Sequence, residues 1–216
     1  ALDQRSQVME LASNDGYLLQ YFVKKGVPGL GGEPAANVAA AAAQKGVPTV
    51  VKFFGKTTAR ELATEFGKAD LIIGNNVLAQ VPDLNDFVGG MKIALKPEGI
   101  ITLEFPHLMQ LMNQNQFDTI YHEHFSYFSL IAVENVLARH DLRLFDVEEL
   151  PTHGGSLRVY ASHVNNESKP VNERVIELMS REENAGFYQL DHYFTFGEQV
   201  KETKRKLLEF LIKAKW

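Results

Sequence analysis

The sequence contains no cysteine, no apolar run as long as a membrane-spanning helix, and no charged-then-apolar leader at its start. Without cysteine the chain forms neither disulfides nor thiolate metal sites, which fits a reducing compartment. Positive charge is not in excess either, because the formal net charge is −5, and this argues against nucleic-acid binding as the main task. We therefore predict a cytoplasmic protein that acts on neither membranes nor nucleic acids.

The composition is that of an ordinary globular domain. Of the 216 residues, 45% are hydrophobic, which is enough for a packed core and argues against disorder. The chain begins with Ala1 rather than Met, almost directly before its first strand. We therefore expect a fragment of a longer protein.

Strand patterns alternate with helix patterns through most of the chain. The predicted strands, the first of which ends at Glu10, continue at residues 29–33, 47–51, 69–74 and 100–105. The helices predicted between them cover residues 18–22, 35–44, 59–66 and 83–95. This alternation predicts an α/β fold with right-handed βαβ units, a mostly parallel sheet and helices on both faces. Ligands of such a sheet bind beyond the carboxyl ends of its strands.

The rest of the chain departs from this alternation. Residues 106–128 form a long polar and aromatic segment, and a segment of this kind between elements is usually functional. After a helix at 130–140, residues 142–149 and 156–163 predict a strand pair that adds a terminal antiparallel strand to the sheet. Residues 165–170 predict a linker, and helices at 171–184 and 190–215 predict a C-terminal helical appendage.

The residues around the end of the first strand predict a nucleotide-type cofactor site. Glu10 ends the strand, a tight polar turn follows, and a helix begins after Gly16. A strand–turn–helix of this kind offers free backbone N–H groups and a positive helix end to a ligand. The small residues Ala12 and Ser13, with Gly16, allow the backbone to approach that ligand closely.

The next strand ends distinguish between two classes of cofactor. A dinucleotide site needs G-x-G-x-x-G to admit a pyrophosphate, and only Gly16 of that pattern is present. A site for S-adenosylmethionine needs an acid for the ribose hydroxyls, an apolar slot for adenine and polar groups for the methionine end. Residues of these three kinds follow successive strands: Glu33 with Pro34, then Phe53 and Phe54, and finally the turn Ser13-Asn14-Asp15 with Asn75 and Asn76. Taken singly, Glu33 could be a helix-start acid and Phe53 a core residue.

Five segments resemble the sugar C-methyltransferases. They are Glu10-Leu-Ala-Ser-Asn-Asp-Gly16, Asn75-Asn-Val-Leu-Ala-Gln80, Glu104-Phe-Pro-His107, Tyr121-His-Glu-His-Phe125 and Thr152-His-Gly-Gly-Ser156. Members of this family are class I S-adenosylmethionine-dependent enzymes that methylate a carbon of nucleotide-linked keto-deoxysugars. The resemblance implies a Rossmann-like fold, a nucleotide-sugar substrate and S-adenosylhomocysteine as a product.

The resemblance also implies a domain organisation. Residues 1–164 are expected to form the S-adenosylmethionine-binding methyltransferase domain, and residues 165–216 a helical linker to a C-terminal domain that is missing here. In the family, a cysteine-rich zinc-binding domain precedes the methyltransferase domain. Any zinc is therefore expected outside this sequence, and no metal is expected within it.

Methylating a carbon beside a ketone requires a base that removes a proton and a group that stabilises the enolate oxygen. By resemblance, His124 is the base, Tyr121 positions the substrate or donates to the enolate oxygen, and Glu123 binds sugar hydroxyls or orients a neighbouring residue. Relatives often have a histidine in place of Gln80, which can form hydrogen bonds but cannot titrate. His107 and His153 are candidate substrate ligands.

Several alternatives remain open from the sequence. The histidines with Glu104 could instead ligate a metal ion. The chain could also be a methyltransferase that acts on oxygen or nitrogen of a small molecule, or a domain that binds a nicotinamide or another cofactor without catalysis. The amphipathic terminal helices are the only support for a purely structural interaction module. The oligomeric state cannot be assigned from the sequence.

Overall fold

A computed structural model describes residues 2–215 and places the strands in a single seven-stranded sheet. The strands, with their bounds, are β1 (Val8–Leu11), β2 (Gly29–Gly32), β3 (Thr49–Val50), β4 (Ala69–Asn75), β5 (Leu95–Pro106), β6 (Leu142–Leu150) and β7 (Ser156–His163). Their order across the sheet is β3-β2-β1-β4-β5-β7-β6. β1 to β5 pair in parallel, and β7 runs antiparallel to both of its neighbours. This confirms the predicted Rossmann-like fold.

The predicted antiparallel strand is β7, the last strand of the chain. β6 lies at the edge of the sheet, and β7 occupies the space between β5 and β6. The helix between β5 and β6 carries the chain past one strand position, and the short turn after β6 then brings β7 back into the gap.

Helices cover both faces of the sheet, as predicted. Their bounds are α1 (Leu19–Lys24), α2 (Ala36–Gln44), α3 (Lys56–Glu65), α4 (Leu84–Ala94), α5 (Leu108–Asn113), α6 (Leu130–Ala138), α7 (Glu173–Asn184) and α8 (Leu190–Ala214). Successive β1 residues point to opposite faces: Val8 packs in a cluster with residues of α1 and α2, and Met9 packs in the main core with residues of α3, α4 and α6. Every helix of the described residues is too short or too polar to cross a membrane.

The polar and aromatic segment contains a helix that the sequence did not predict. α5 is only six residues long and begins directly after His107. Its Leu111 and Met112 are buried in a small cluster with Ile131 and Phe187. A buried helix of six residues is too short to show a recognisable hydrophobic period in the sequence.

The C-terminal region does not behave throughout as a linker. Val175 and Leu178 of α7 are buried in the main core, and Glu182 of the same helix is 0% exposed. α8 is different, because its apolar contacts with the body come from its first turns, through Tyr193 and Phe196. Farther along this helix, Thr203 accepts a hydrogen bond from the Asn115 side chain at 2.6 Å. α7 therefore packs as part of the same body as the sheet, and the domain boundary at residue 164 stays a prediction.

Candidate active site

The turn after β1 has an alternating backbone conformation. Ala12, Asn14 and Gly16 have φ angles of 55°, 50° and 73°, in the left-handed region. Only glycine enters this region without strain, and other residues pay roughly 1–2 kcal/mol. At Gly16 a side chain is also sterically excluded, because a Cβ atom would lie 3.0 Å from Val47 Cγ2. The loop therefore has the left-handed backbone conformations that are typical of a glycine-rich turn, although Gly16 is its one glycine.

Ser13 helps to build this turn, although we had predicted it as a cofactor ligand. Its N–H donates to the Gly32 carbonyl at 3.2 Å, and its carbonyl accepts from the Gly16 N–H at 3.0 Å. The side chain is fully buried against Gly31, where an added Cβ would lie 2.3 Å from Ser13 Oγ. The buried hydroxyl of Ser13 has no hydrogen-bond partner among the described residues. Ser13 therefore shapes the loop through its backbone, and its role as a cofactor ligand stays a prediction.

Glu33 connects the turns that follow β1 and β2. Its Oε2 accepts from the Asn14 N–H at 3.2 Å, and its Oε1 accepts from the Ala35 N–H at 2.8 Å. The side chain is largely buried. Each carboxylate oxygen has further lone pairs, so these two bonds leave acceptor capacity for a ligand.

Two adjoining cavities open above these strand ends. One, of about 410 Å³, has mostly polar walls that include Asn14, Tyr17, Glu33, Asn75 and Asn76. The other, of about 370 Å³, is lined largely by apolar side chains such as Phe53, Phe54, Val77 and Phe87. Ala12, Pro34 and Gln80 contribute to both cavities. The sequence predicted most of these residues, whereas Tyr17, Val77 and Phe87 were missed.

The two phenylalanines of the apolar cavity are held differently. Phe54 packs edge-on against Phe87, with the ring centroids 5.5 Å apart. Phe53 is 83% exposed and has no such support from the core, which contradicts a role in core packing. An exposed aromatic ring at a cavity mouth is suited to stacking on a flat ligand.

Main-chain hydrogen bonds join the Tyr121–His124 segment to the cavity wall. The N–H groups of Phe125 and Ser126 donate to the Ala79 carbonyl at 2.8 and 3.3 Å, and the next residue, Gln80, lines both cavities. The rings of Tyr121 and His124 lie 4.5 Å apart. The structure therefore places this segment beside the predicted cofactor site.

Within the segment, the side chains differ in exposure. Tyr121 is 47% exposed, and His122 and Glu123 are also exposed. His124 is half-buried between Tyr121 and Tyr127, and its Nδ1 is buried and finds no hydrogen-bond partner among residues 2–215. An imidazole next to a phenol has the groups needed for proton transfer.

The comparison with known protein families identifies the chain. Residues 1–147 match the family described as methyltransferase domain. The chain belongs to this methyltransferase family. Residues 151–216 match a second family, described as the C-methyltransferase C-terminal domain.

A curated relative agrees with this assignment. The methyltransferase is 34% identical over 206 residues to the C-methyltransferase NovU from Streptomyces niveus. This match includes 94% of the present chain and 48% of the relative, so the methyltransferase spans about half the length of that protein.

Solved structures support the fold. The S-adenosylmethionine-dependent methyltransferase from Anabaena variabilis aligns with a TM-score of 0.58 at 13% identity, over 75% of this chain and 79% of its own. Magnesium protoporphyrin IX methyltransferase from Synechocystis, with bound S-adenosylhomocysteine, aligns with a TM-score of 0.57 at 13% identity, over 73% of this chain and 74% of its own. The fold is that of the class I S-adenosylmethionine-dependent methyltransferases.

The two histidines predicted as substrate ligands have different surroundings. His107 is 1% exposed, and its Nε2 lies 2.7 Å from Oε1 of Glu182. Because it is enclosed in this way, His107 is not part of the substrate site proposed below. His153 is exposed in a tight turn at φ 52°, next to Thr152, whose hydroxyl donates to Glu104.

Glu104 is engaged at both of its oxygens. Arg158 donates to Oε2 at 2.8 Å, and Thr152 donates to Oε1 at 3.3 Å. Across residues 2–215, the structure contains no group of three or more histidine, aspartate or glutamate side chains placed to hold a metal ion. The arrangement therefore gives no support to the alternative of a metal site around Glu104.

Glu10 is a buried acid directly below the cofactor loop. It is 1% exposed, and its Oε2 has no hydrogen-bond partner within the described part of the chain. Burial raises the pKa of the Glu10 carboxyl from 4.5 to about 7, an effect that the backbone N–H of Leu19 partly offsets. Tyr17, which lines the polar cavity, lies close enough for Glu10 to raise its pKa in addition to the effect of burial.

We predict that Glu10 makes the stability of the free protein depend on pH. The native state holds this proton more tightly than the unfolded chain does, so the free energy of unfolding falls as pH rises from 4.5 to about 7. Glu10→Gln mimics the protonated acid. It should therefore raise the free energy of unfolding by roughly 3 kcal/mol at about pH 8 and change it little at acid pH.

Urea unfolding of both proteins across this pH range measures the difference. Glu61→Gln is the control, because Glu61 is half-exposed in a surface pair with Lys52. Parallel stability curves for Glu10→Gln and the wild type would contradict the prediction.

Proposed function

We propose that this methyltransferase, within its complete protein, transfers a methyl group from S-adenosylmethionine to a carbon beside the ketone of a nucleotide-linked deoxysugar. The observation that carries the proposal is the pair of hydrogen bonds by which Phe125 and Ser126, directly after the Tyr121–His124 segment, hold to Ala79 beside the cavity-lining Gln80. A base and a phenol at a cofactor cavity fit carbon methylation, because carbon must first be made nucleophilic. The name of the relative NovU, a C-methyltransferase, supports the same reaction.

The cofactor is assigned to the two adjoining cavities. Adenine occupies the apolar cavity, against Phe53, Phe54 and Pro34, and Glu33 accepts hydrogen bonds from the ribose hydroxyls. The methionine end lies in the polar cavity, whose walls include Ala12, Asn14, Asn75 and Asn76. Glu10 and Gly16 lie in the strand end and the turn beside it. When bound, S-adenosylmethionine supplies an electrophilic methyl group and leaves as S-adenosylhomocysteine.

The side chains of the segment prepare the substrate. His124 takes a proton from the carbon beside the ketone, and the electron pair of that bond moves to the carbonyl oxygen to give an enolate. The Tyr121 hydroxyl donates a hydrogen bond to the enolate oxygen, which stabilises the developing charge. Glu123, His153 and Gln80 bind polar groups of the sugar, and Gln80 does so without titrating.

Two measurements on this chain test the proposal. Calorimetric titration with S-adenosylhomocysteine should give saturable binding at a single site. With the cofactor product bound, a nucleotide-linked keto-deoxysugar in D₂O should exchange hydrogen for deuterium at the carbon beside its ketone.

The outcomes separate the alternatives. Binding without deuterium exchange, together with methylation of a hydroxyl or an amine, would replace the proposal by O- or N-methylation, which needs no carbanion. Binding of a nicotinamide dinucleotide with no binding of S-adenosylhomocysteine would overturn the cofactor assignment.

A further inference from the structure

The segment that carries Tyr121 and His124 leaves and rejoins the body of the protein at one place. It leaves after His107 at the end of β5 and returns at Phe128, where the two residues form a parallel bridge. The Leu108 N–H donates to the Phe128 carbonyl at 2.9 Å. Residues 108–128 therefore form a loop with closely spaced ends, which we call the catalytic loop.

A single buried carboxylate contacts both ends of this loop. Oε1 of Glu182 lies 2.7 Å from His107 Nε2, on the outgoing side. On the returning side, Oε1 accepts from the Leu130 N–H at 2.7 Å, and Oε2 accepts from the Ile131 N–H at 2.9 Å. Glu182 itself is 0% exposed.

These contacts suit a carboxylate in particular. Leu130 and Ile131 begin α6, where N–H groups have no acceptor within their own helix and where a negative charge is favoured. Ser129 accepts from the Ala132 N–H in the same turn, so Glu182 completes the capping of α6. A carboxylate accepts all three hydrogen bonds at once, whereas an amide places a donor against at least one N–H.

Glu182 lies far along the chain from the groups that it binds. It is 75 residues from His107 and belongs to α7, within the region that matches the C-methyltransferase C-terminal domain. His107, Leu130 and Ile131 belong to the region that matches the methyltransferase domain. The C-terminal region thus supplies a group that the methyltransferase domain needs at the base of its catalytic loop.

We propose that Glu182 is a positioning residue that, through His107 and the start of α6, sets the catalytic loop so that His124 and Tyr121 face the cofactor cavities. It touches neither the cavities nor the segment 121–126 directly. This inference rests on the proposed function for the chemistry that the loop performs. The contacts of Glu182 with His107 and with the start of α6, which we call the clamp, do not depend on that function.

The test compares Glu182→Gln with Glu183→Gln in the full 216-residue chain. Glu183 is the adjacent carboxylate on α7 and is exposed, so its variant controls for the loss of one charge from the helix. The readouts are backbone hydrogen exchange by mass spectrometry, affinity for S-adenosylhomocysteine, and the substrate deuterium exchange described above.

In Glu182→Gln, hydrogen exchange at residues 114–128 should become faster by at least about tenfold. Exchange in β1 and β4 and the affinity for S-adenosylhomocysteine should stay at the wild-type level, because the cofactor loops follow β1 and β2. Substrate deuterium exchange should fall at least about tenfold, and the aspartate variant Glu182→Asp should recover part of it because it keeps the carboxylate. Glu183→Gln should match the wild type in every readout.

A merely structural role would give a different pattern. Faster hydrogen exchange spread evenly over the whole sheet, or wild-type exchange at residues 114–128 in a folded Glu182→Gln protein, would overturn the inference. If that variant does not fold, His107→Gln tests the same clamp, since it removes the outgoing contact and leaves the bonds of Glu182 to α6; unchanged exchange at 114–128 would then overturn it. If the wild type lacks substrate exchange, the proposed function fails, while hydrogen exchange still decides on the clamp.

Discussion

Replacing His124 by asparagine should lower the rates of substrate deuterium exchange and of methyl transfer by about 10²–10⁴-fold. Asparagine retains a hydrogen-bonding side chain of similar shape but cannot accept the proton. Affinity for S-adenosylhomocysteine should be unchanged, because His124 is not among the residues that line the two cavities. Deuterium wash-in, followed by NMR on the substrate carbon, measures the first effect.

His122→Asn is the matched control for this experiment. His122 lies two residues away in the same segment and is exposed. The His122→Asn variant should therefore retain the wild-type rates of substrate deuterium exchange and methyl transfer. Equal losses in the two variants would show that the segment tolerates no change and would leave His124 without a specific role. A His124→Asn protein with the wild-type rate would exclude His124 as the base.

Replacing Glu33 by alanine should weaken S-adenosylhomocysteine binding by roughly 10–100-fold. The variant removes a charged acceptor from the polar cavity. It also leaves the N–H groups of Asn14 and Ala35 without the acceptor that they use in the free protein. Calorimetric titration measures the loss directly.

Two further variants separate these effects of Glu33. Glu33→Gln keeps one acceptor oxygen and should lose less affinity than Glu33→Ala. Asp15→Ala removes an exposed carboxylate from the turn after β1, where Asp15 pairs with Lys45, and should leave the affinity unchanged. If Asp15→Ala weakened binding as much as Glu33→Ala, the effect would come from the charge of the loop and not from a ribose contact.

Much of the site could be predicted because its residues stand at the ends of predictable strands. Buried parallel strands are continuous apolar runs, and their carboxyl ends meet along one edge of the sheet. Glu33, Phe54 and Asn75 are recognisable for this reason. Tyr17, in the turn before α1, and Phe87, in α4, were missed because nothing local in the sequence distinguishes a cavity wall from a packed or solvent-facing side chain.

The backbone of the turn after β1 could not be predicted in the same way. The presence of Gly16 alone from the G-x-G-x-x-G pattern argued against a dinucleotide site, but it did not reveal that Ala12 and Asn14 adopt the left-handed conformation. Nor could the residue type of Ser13 reveal its contacts with Gly31 and Gly32, which make it part of the loop structure.

The sequence by itself determined the alternating βαβ order, the mostly parallel sheet and the strand ends that carry the cofactor residues. These features follow from apolar periodicity and turn residues within short stretches of chain. Only the tertiary structure decided that β7 lies between β5 and β6, that His107 is enclosed, and that Glu182 clamps the catalytic loop. Each of these depends on which distant segments pack together, and residues 75 positions apart, such as His107 and Glu182, leave no local pattern from which their contact could be predicted.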